Sequence, residues 1–394
     1  MMLSAQNSTN SPYTRYGYGA LADRSFGAGR SMGGIGYGLR TPRQINPMNP
    51  ASYSSMDSLT FLFDAGMTFQ LSWFNDDVNT QRNMNGNFEY VAMQFPLTRR
   101  IAVSVGLLPY SHVGYNFGEY ATDGPGSLTE YSGTGGLNEV YAGLSVDVWK
   151  KRLAFGANAS YMFGKLDHRR RITTTNIMYT MKKTDIHDMK FDFGVQYTHP
   201  LTRTDRMTFG AVYSPGKKLS ATAYDMISFD QYFSSVAQAD TFRNAGFSIP
   251  SSYGFGVTYT KDYKMILAAD VSYQNWTDAR FFDSSEEFKD RVKVALGGEY
   301  IPNNFTRAYM SRVRYRAGLH YSNSYLKIKN AGYDELGACV GMGFPMLDNR
   351  SFINASFEYV QVVPGSKTLI NEQYFRFTLS YTFNEFWFFK RKMD

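Results

Sequence analysis

The sequence predicts an all-β fold: a transmembrane antiparallel β-barrel of about 14 strands with an N-terminal plug, or hatch, inside the lumen. Three observations predict it. The chain of 394 residues contains 30 tyrosines and 31 phenylalanines although hydrophobic residues make up only 43% of it, a balance typical of barrels with aromatic girdles. Apolar and polar side chains alternate along most of the chain. This alternation is absent from residues 1–57.

The N-terminal segment, residues 1–57, is predicted to form the plug. Its two glycine-rich stretches, residues 16–19 and 26–36, suit close packing of one backbone against another. Neither stretch is expected to bind phosphate, because no Lys-Ser or Lys-Thr pair follows and no strand and helix bracket it. Residues 1–6 are interpreted as the remnant of a signal peptide, since Leu3-Ser4-Ala5 suits the end of a cleavage site.

Residues 58–394 are predicted to form the barrel. In the last strand the odd positions from 375 to 383 are Phe, Phe, Leu, Tyr and Phe, while the even positions between them are polar. This pattern is expected where one face of a strand meets lipid and the other meets the lumen. No apolar run approaches the roughly 20 residues that a spanning helix needs. The predicted strands start near Leu59, Phe88, Ile101, Val140, Leu153, Lys190, Met207, Ser252, Lys264, Val292, Val313, Leu336, Phe352 and Tyr374.

The connections between these strands are predicted to alternate in length. Short turns are expected at residues 98–100, 150–152, 261–263 and 347–350, and long loops at 117–135, 169–188 and 226–248. Short turns face the periplasm in bacterial outer-membrane barrels. We therefore expect both ends of the barrel and the plug to face the periplasm, with the long loops outside the cell.

The inward positions of the predicted strands carry many charged residues. We expect them to hold the plug by ion pairs and hydrogen bonds, because buried charges usually have partners. Arg314 and Arg316 are the best candidates to clamp an anion, and pairing across the lumen is the alternative. The predicted lumen charge cluster comprises Arg312, Arg314, Arg316, His320, Arg376, Glu358 and Asp270.

Composition argues against several other classes of protein. The net charge of +7 comes from scattered basic residues, so we expect no binding of nucleic acid. No His or Cys spacing typical of a metal site occurs, and no nucleophile signature accompanies the five histidines, so no metal, cofactor or enzymatic activity is expected. A soluble all-β protein is the alternative fold, but it would need many charged residues on its outer face, whereas only 19% of the residues in this chain are charged.

Residues 45–53, with Asn49-Pro50-Ala51 at their centre, lead from the glycine-rich stretch towards the first predicted strand. This arrangement resembles the hatch of the FadL/TodX-like outer-membrane channels for hydrophobic compounds, and residues 249–256 resemble the opening of the eighth strand in that family. The resemblance covers essentially the whole chain. It implies a 14-stranded barrel in the outer membrane of a Gram-negative bacterium, with Asn49, Pro50 and Ala51 as the hatch motif.

The resemblance also implies a kinked third strand that opens a side door into the bilayer. The candidate residues here are Gly106 and Pro109, because proline lacks the N–H that a paired interior strand needs. Pro109 therefore predicts a bulge or a gap. A lateral opening is one interpretation, and a bulge above the membrane is the other.

Two functions remain open from the sequence. A FadL-like barrel takes up or binds hydrophobic molecules such as long-chain fatty acids, but such a channel should have an apolar pocket, whereas the predicted lumen is charged. The alternative is an accessory or scaffold subunit of an outer-membrane complex for protein secretion or barrel assembly. The expected partners are outer-membrane lipid and either a hydrophobic small molecule or other proteins of such a complex.

Overall fold

The chain folds into a closed antiparallel barrel of 14 strands, which confirms the predicted fold class and strand count. The structure is a computed structural model that describes residues 8–76, 79–120, 128–174, 177–243, 246–262, 264–282, 284–285, 287–328, 331–366 and 369–386. The barrel strands are β1 (Thr60–Asn75), β2 (Thr80–Pro96), β3 (Ile101–Tyr120), β4 (Leu128–Trp149), β5 (Leu153–Thr173), β6 (Ile177–Pro200), β7 (Arg206–Ser214), β8 (Ser252–Lys261), β9 (Met265–Gln274), β10 (Arg291–Tyr300), β11 (Arg314–Asn323), β12 (Tyr333–Pro345), β13 (Phe352–Pro364) and β14 (Asn371–Phe386).

Helical structure in the described ranges is limited to short elements. These are α1 (Gly27–Arg30), α2 (Tyr309–Arg312) and three 3₁₀ turns at Pro12–Arg15, Pro50–Ser55 and Trp276–Asp278. Among the described residues, no helix has the length and hydropathy to cross a membrane.

The two faces of the wall differ as the alternation predicts. On β8, Tyr253 and Phe255 are exposed on the outside of the barrel, whereas Thr258 is buried on the inside. Phe375 and Tyr381 on β14 are exposed in the same way, and β14 pairs with β1 to close the barrel. The exposed apolar outer face suits contact with lipid, as in transmembrane β-barrels.

The wall is much taller on one side than on the other. Strands β3 to β6 contain 20 to 24 residues, whereas β7 to β11 contain nine or ten. A strand needs only about 9–11 residues to cross a bilayer, so β3 to β6 extend well beyond it. A hairpin of Ala221–Ser228 and Val236–Arg243 widens this extension by pairing with the start of β6.

The predicted long loops at residues 117–135 and 169–188 are therefore wrong. The structure extends β3 to residue 120, starts β4 at 128, ends β5 at Thr173 and starts β6 at Ile177. Because a bilayer spans only about 9–11 residues of a strand, we expect both faces of these extensions to lie outside it. They therefore pair as strands without the alternation of apolar and polar side chains that indicates a membrane strand.

The ends of the barrel are distinguished by their connections. One end carries short connections such as residues 97–100 and 150–152, together with the start of β1 and the end of β14; we call it the turn end. The other end carries longer connections, including residues 215–251 and 275–290; we call it the loop end.

Residues 8–56 precede β1 and contact the inward faces of strands around the barrel. Their one short strand, Ala20–Leu21, pairs with Ser111 and His112 of β3. We call residues 8–56 the N-terminal segment. Residues 1–6, which we interpreted as a signal-peptide remnant, lie outside the described residues.

Candidate functional site

The predicted hatch motif forms a capped turn pressed against the wall. The Asn49 side chain accepts a hydrogen bond from the Ala51 N–H (3.1 Å), and Pro50 occupies the first position of the 3₁₀ turn, so both residue types suit their positions. Asn49 Nδ2 also donates to the carbonyls of Tyr37 (2.8 Å) and Val195 (3.3 Å). The motif thus joins two parts of the N-terminal segment to strand β6.

Glycines on the inner wall let this turn approach the strands closely. A Cβ on Gly156 of β5 would lie 2.4 Å from the Pro50 carbonyl carbon, and one on Gly194 of β6 would lie 2.2 Å from Asn49 Oδ1. A side chain at either position would therefore force the turn away from the wall. The inward glycines therefore form a seat for residues 49–51.

Arg24 joins the N-terminal segment to a buried charge network on β4 and β6. Its Nη2 lies 2.8 Å from Asp192 Oδ2 and 3.5 Å from Glu139 Oε2. Lys190 lies 2.8 Å from Asp192 and 3.5 Å from Glu139, so two cations face two carboxylates. The carboxylates are almost completely buried, which makes the balance of charges energetically important.

A second ion pair depends on a β-bulge. Between Gly66–Tyr90 and Met67–Phe88 the register of β1 and β2 shifts by one residue, and Glu89 is the extra residue of β2. Glu89 Oε2 then lies 2.8 Å from Arg30 Nη1 of α1, and both side chains are buried. The bulge places a carboxylate where the N-terminal segment presents a cation.

On the opposite wall, Asp270 and Lys293 bind the same segment. Asp270 Oδ2 accepts hydrogen bonds from the N–H groups of Gly36 (2.6 Å) and Tyr37 (2.8 Å). Lys293 Nζ lies 2.9 Å from Asp23 Oδ2. Burial alone would raise the pKa of Asp23, but Lys293 and Arg30 lower it by more, so the pKa of this carboxyl lies well below its usual value and the group stays charged.

The predicted lumen charge cluster is divided among separate contacts. Arg314 and Arg316 both bind Glu299, at 3.2 and 2.7 Å, so neither is an open anion clamp in this arrangement. Arg376 and His320 lie 3.2 and 3.8 Å from Glu358.

Arg312 was wrongly placed in the lumen. The strand begins only at Arg314, because the chain bends at the buried Val313 after the short helix α2. Arg312 lies at the turn end, where its Nη1 donates to Asn349 Oδ1 at 2.6 Å.

The wall is interrupted beside the predicted opening residues. The ladder between β2 and β3 contains six residue pairs, and among the described residues it ends at Val91–Leu107, one pair beyond Gly106. On the other side of β3 a bulge at Tyr110 follows Pro109. Beyond Leu107 the edge of β3 is met by the N-terminal segment: Ala20–Leu21 pair with it, and Ala22 N–H donates to the Tyr110 carbonyl at 2.9 Å.

Aromatic side chains fill the lumen towards the loop end. Trp276 and Tyr18 are completely buried, and the ring of Tyr325 lies 4.2 Å from that of Trp276 between centroids. The single hydroxyl hydrogen of Tyr18 is shared between the carbonyl oxygens of Ser248 (Oη to O 3.0 Å) and Arg280 (2.9 Å), which joins the N-terminal segment to two loops.

Between the N-terminal segment and the inner wall lies a cavity of about 210 Å³. Its lining is mainly polar, with charged residues that include Arg24, Lys293, His320, Glu358 and Arg376. A cavity of this kind suits water or a polar solute better than an apolar compound.

Sequence reasoning missed Arg24, Arg30 and Glu89. The two arginines could have been found, because they are basic residues in a segment that was expected to enter a charged lumen. For Glu89 the period of two is ambiguous. The outward Phe88 predicts that Glu89 faces inward, whereas the outward Met93 predicts the opposite, because the bulge shifts the alternation by one residue.

Comparison with known proteins identifies the family. The model of the BamG family matches residues 1–394, the whole chain. The chain belongs to the BamG family. No curated protein sequence matches this BamG-family chain.

Solved structures confirm the predicted FadL/TodX-like fold. The Pseudomonas putida toluene transporter TodX is similar with a TM-score of 0.67 and 15% identity, over 93% of this chain and 100% of that one. The Ralstonia pickettii toluene transporter TbuX gives 0.61 and 14%, over 91% and 98%. A FadL homologue of Pseudomonas aeruginosa gives 0.59 and 11%, over 92% and 99%.

Proposed function

We propose that this BamG-family chain is a closed accessory barrel of an outer-membrane complex for barrel assembly or protein secretion, with residues 1–57 as its plug. The observation that carries the proposal is the way residues 8–56 are bound to the wall. Arg24, Arg30 and Asp23 each form an ion pair with a different part of the barrel, and Asp270 binds the backbone at Gly36 and Tyr37.

A plug bound in this way is costly to displace. Removing one partner of a buried ion pair costs about 3–5 kcal/mol, and several such pairs would have to separate together. The aromatic cluster around Trp276 is buried at the loop end, and the cavity beside the N-terminal segment is mainly polar. A path for an apolar molecule would need a large rearrangement, whereas a scaffold needs none.

We also propose an orientation for the barrel in the outer membrane. Short turns of bacterial barrels face the periplasm, so we place the turn end there and the tall wall of β3 to β6 outside the cell.

Uptake of a hydrophobic compound is the second candidate function. It is favoured by the interrupted ladder between β2 and β3, where Gly106 and Pro109 mark the proposed lateral opening. It is also favoured by the similarity in fold to TodX and TbuX, which are toluene transporters. If the chain takes up such a compound, the pairing of Ala20–Leu21 with β3 closes the lateral opening and has to separate before the compound can pass.

Purification from native membranes in mild detergent, followed by mass spectrometry of bound lipids and co-purifying proteins, distinguishes the two candidates. We expect a stoichiometric protein complex without an apolar ligand in the lumen. An isolated barrel that carries a fatty acid or a similar apolar molecule would contradict the accessory role and support uptake.

A further inference from the structure

The turn end of the barrel has a strong excess of positive charge. Its connections between strands carry ten basic residues and three acidic ones, although the whole chain has a net charge of only +7. The loop-end connection of residues 275–290, by contrast, contains more acidic than basic residues. The basic residues of the turn end are Arg99, Arg100, Lys150, Lys151, Arg152, Arg203, Lys264, Arg307, Arg312 and Arg350.

Two of the three acidic residues accept hydrogen bonds from neighbouring residues in their own turns. Asp348 accepts hydrogen bonds from the Ser351 hydroxyl (2.7 Å) and from the Arg350 N–H (3.0 Å). Asp205 accepts one from Thr204 Oγ1 at 3.2 Å. Most of the basic side chains, in contrast, are exposed to solvent. The surface of the turn end therefore attracts anionic groups over a wide area.

One part of this end also exposes large apolar side chains. The connection of residues 301–313 is far longer than the three-residue turn 150–152, and Phe305 within it is 94% exposed. Leu347, on the neighbouring connection 346–351, is fully exposed, and Met310 is largely so. Exposed apolar side chains grouped together and surrounded by polar residues mark interaction sites with proteins or membranes.

These two connections form one shaped surface. Tyr309 Oη donates to the Pro345 carbonyl (3.2 Å), and Arg312 donates to Asn349 (2.6 Å). Asn303 N–H donates to the Ser311 carbonyl (2.8 Å), which folds the longer connection back on itself. We call residues 301–313 and 346–351 together the turn-end platform.

We propose that the turn-end platform is a docking site for an acidic periplasmic protein domain, with Phe305 and Leu347 inserted into apolar pockets of that partner. The inference rests on the proposed accessory role, and adds to it the face and the chemistry of the contact. Exposed basic side chains around apolar anchors match an acidic surface with apolar pockets. A lipid headgroup layer would require only charge, and would gain nothing from the internal hydrogen bonds that shape the platform.

Site-specific photocross-linking in native membranes tests the proposal. Benzoylphenylalanine replaces Phe305 or Leu347 in turn, and Tyr232 as the matched control, because Tyr232 is an exposed aromatic residue at the loop end. We expect positions 305 and 347 to give an adduct with the same acidic protein, and position 232 not to do so. Adducts with lipid or with a second copy of this chain, or the absence of adducts, would overturn the proposal.

The cross-linked protein is then purified and bound to the barrel in nanodiscs of zwitterionic lipid. We expect the double variant Phe305→Asp/Leu347→Asp to weaken binding at least tenfold, and Phe229→Asp/Tyr232→Asp to leave it unchanged. Heat-modifiable migration in gels shows that each variant has a folded barrel. If the native complex is recovered intact with Phe305→Asp/Leu347→Asp, the platform is not the docking site, but the accessory role stands.

Discussion

Replacing Arg24 with methionine should loosen the N-terminal segment without altering the barrel. Arg24 is 23% exposed, whereas its partners Asp192 and Glu139 are 1% and 0% exposed. In the variant these two carboxylates share Lys190 alone, at 2.8 and 3.5 Å, so one buried negative charge lacks a counter-charge. Methionine retains much of the side-chain volume, so the change tests charge more than packing.

The expected magnitude follows from the burial of this network. Loss of one partner of a buried pair costs about 3–5 kcal/mol, and the partial exposure of Arg24 places this case near the lower value. About 3 kcal/mol corresponds to a roughly hundredfold increase in the population in which the segment is detached, at about 1.4 kcal/mol per factor of ten.

Thiol labelling measures that population. A Ser25→Cys reporter is buried beside Arg24, and Cys339→Ser removes the native thiol. Arg24→Met should accelerate labelling of Cys at position 25 about a hundredfold. Lys165→Met is the control, because Lys165 forms an exposed pair with Asp185 at 3.6 Å; its removal should change labelling by no more than about fivefold.

A second substitution separates charge from other effects. Arg24→Met/Asp192→Asn leaves Glu139 and Lys190 as a balanced pair at 3.5 Å, and should recover part of the slow labelling. Equal labelling rates in Arg24→Met and Lys165→Met would refute the view that the segment is held by this network.

Three further substitutions test the seat and the wall. Gly210→Ala would place a Cβ 1.8 Å from the Tyr37 carbonyl oxygen and should expose the N-terminal segment to limited proteolysis, whereas Gly86→Ala, with its nearest neighbour at 3.6 Å, should not. Asn49→Ala removes the cap of the Pro50–Ser55 turn and should cost about 1 kcal/mol or more, read as a lower urea midpoint for loss of protection from protease. Glu299→Gln leaves two buried arginines without a carboxylate and should lower the barrel's Tm; an unchanged Tm would contradict the role assigned to that ion pair.

The barrel was predictable because its physical cause is local. In a strand between lipid and lumen, apolar and polar side chains must alternate. The sequences of β8 and β14 therefore predict both the strand conformation and the face that points outward. The full lengths of strands β3 to β6 were not predictable in this way. Outside the bilayer neither face of a strand meets lipid. Residues 117–120, 128–135, 169–173 and 177–188 pair as strands through backbone hydrogen bonds, which leave no alternating side-chain pattern in the sequence.

The charged character of the lumen was predictable, but the ion-pair partners of its charged residues were not. Inward charged residues such as Asp270 and Arg316 could be identified because every second residue of a strand faces the lumen. Their partners could not be identified, because pairs such as Arg30–Glu89 join residues far apart in the sequence and depend on a bulge. Arg312 shows where this reasoning fails. Alternate residues share a face only within one continuous strand, and a bend at Val313 separates Arg312 from the strand that begins at Arg314.

The conductance of the purified chain in planar bilayers tests most directly whether the barrel is closed. With residues 8–56 bound to the wall on several sides, the unmodified protein should show no sustained ion conductance, and Arg24→Met should show brief openings. Stable conductance steps in the unmodified protein would contradict a closed barrel, and with it the proposal that this chain acts as an accessory subunit.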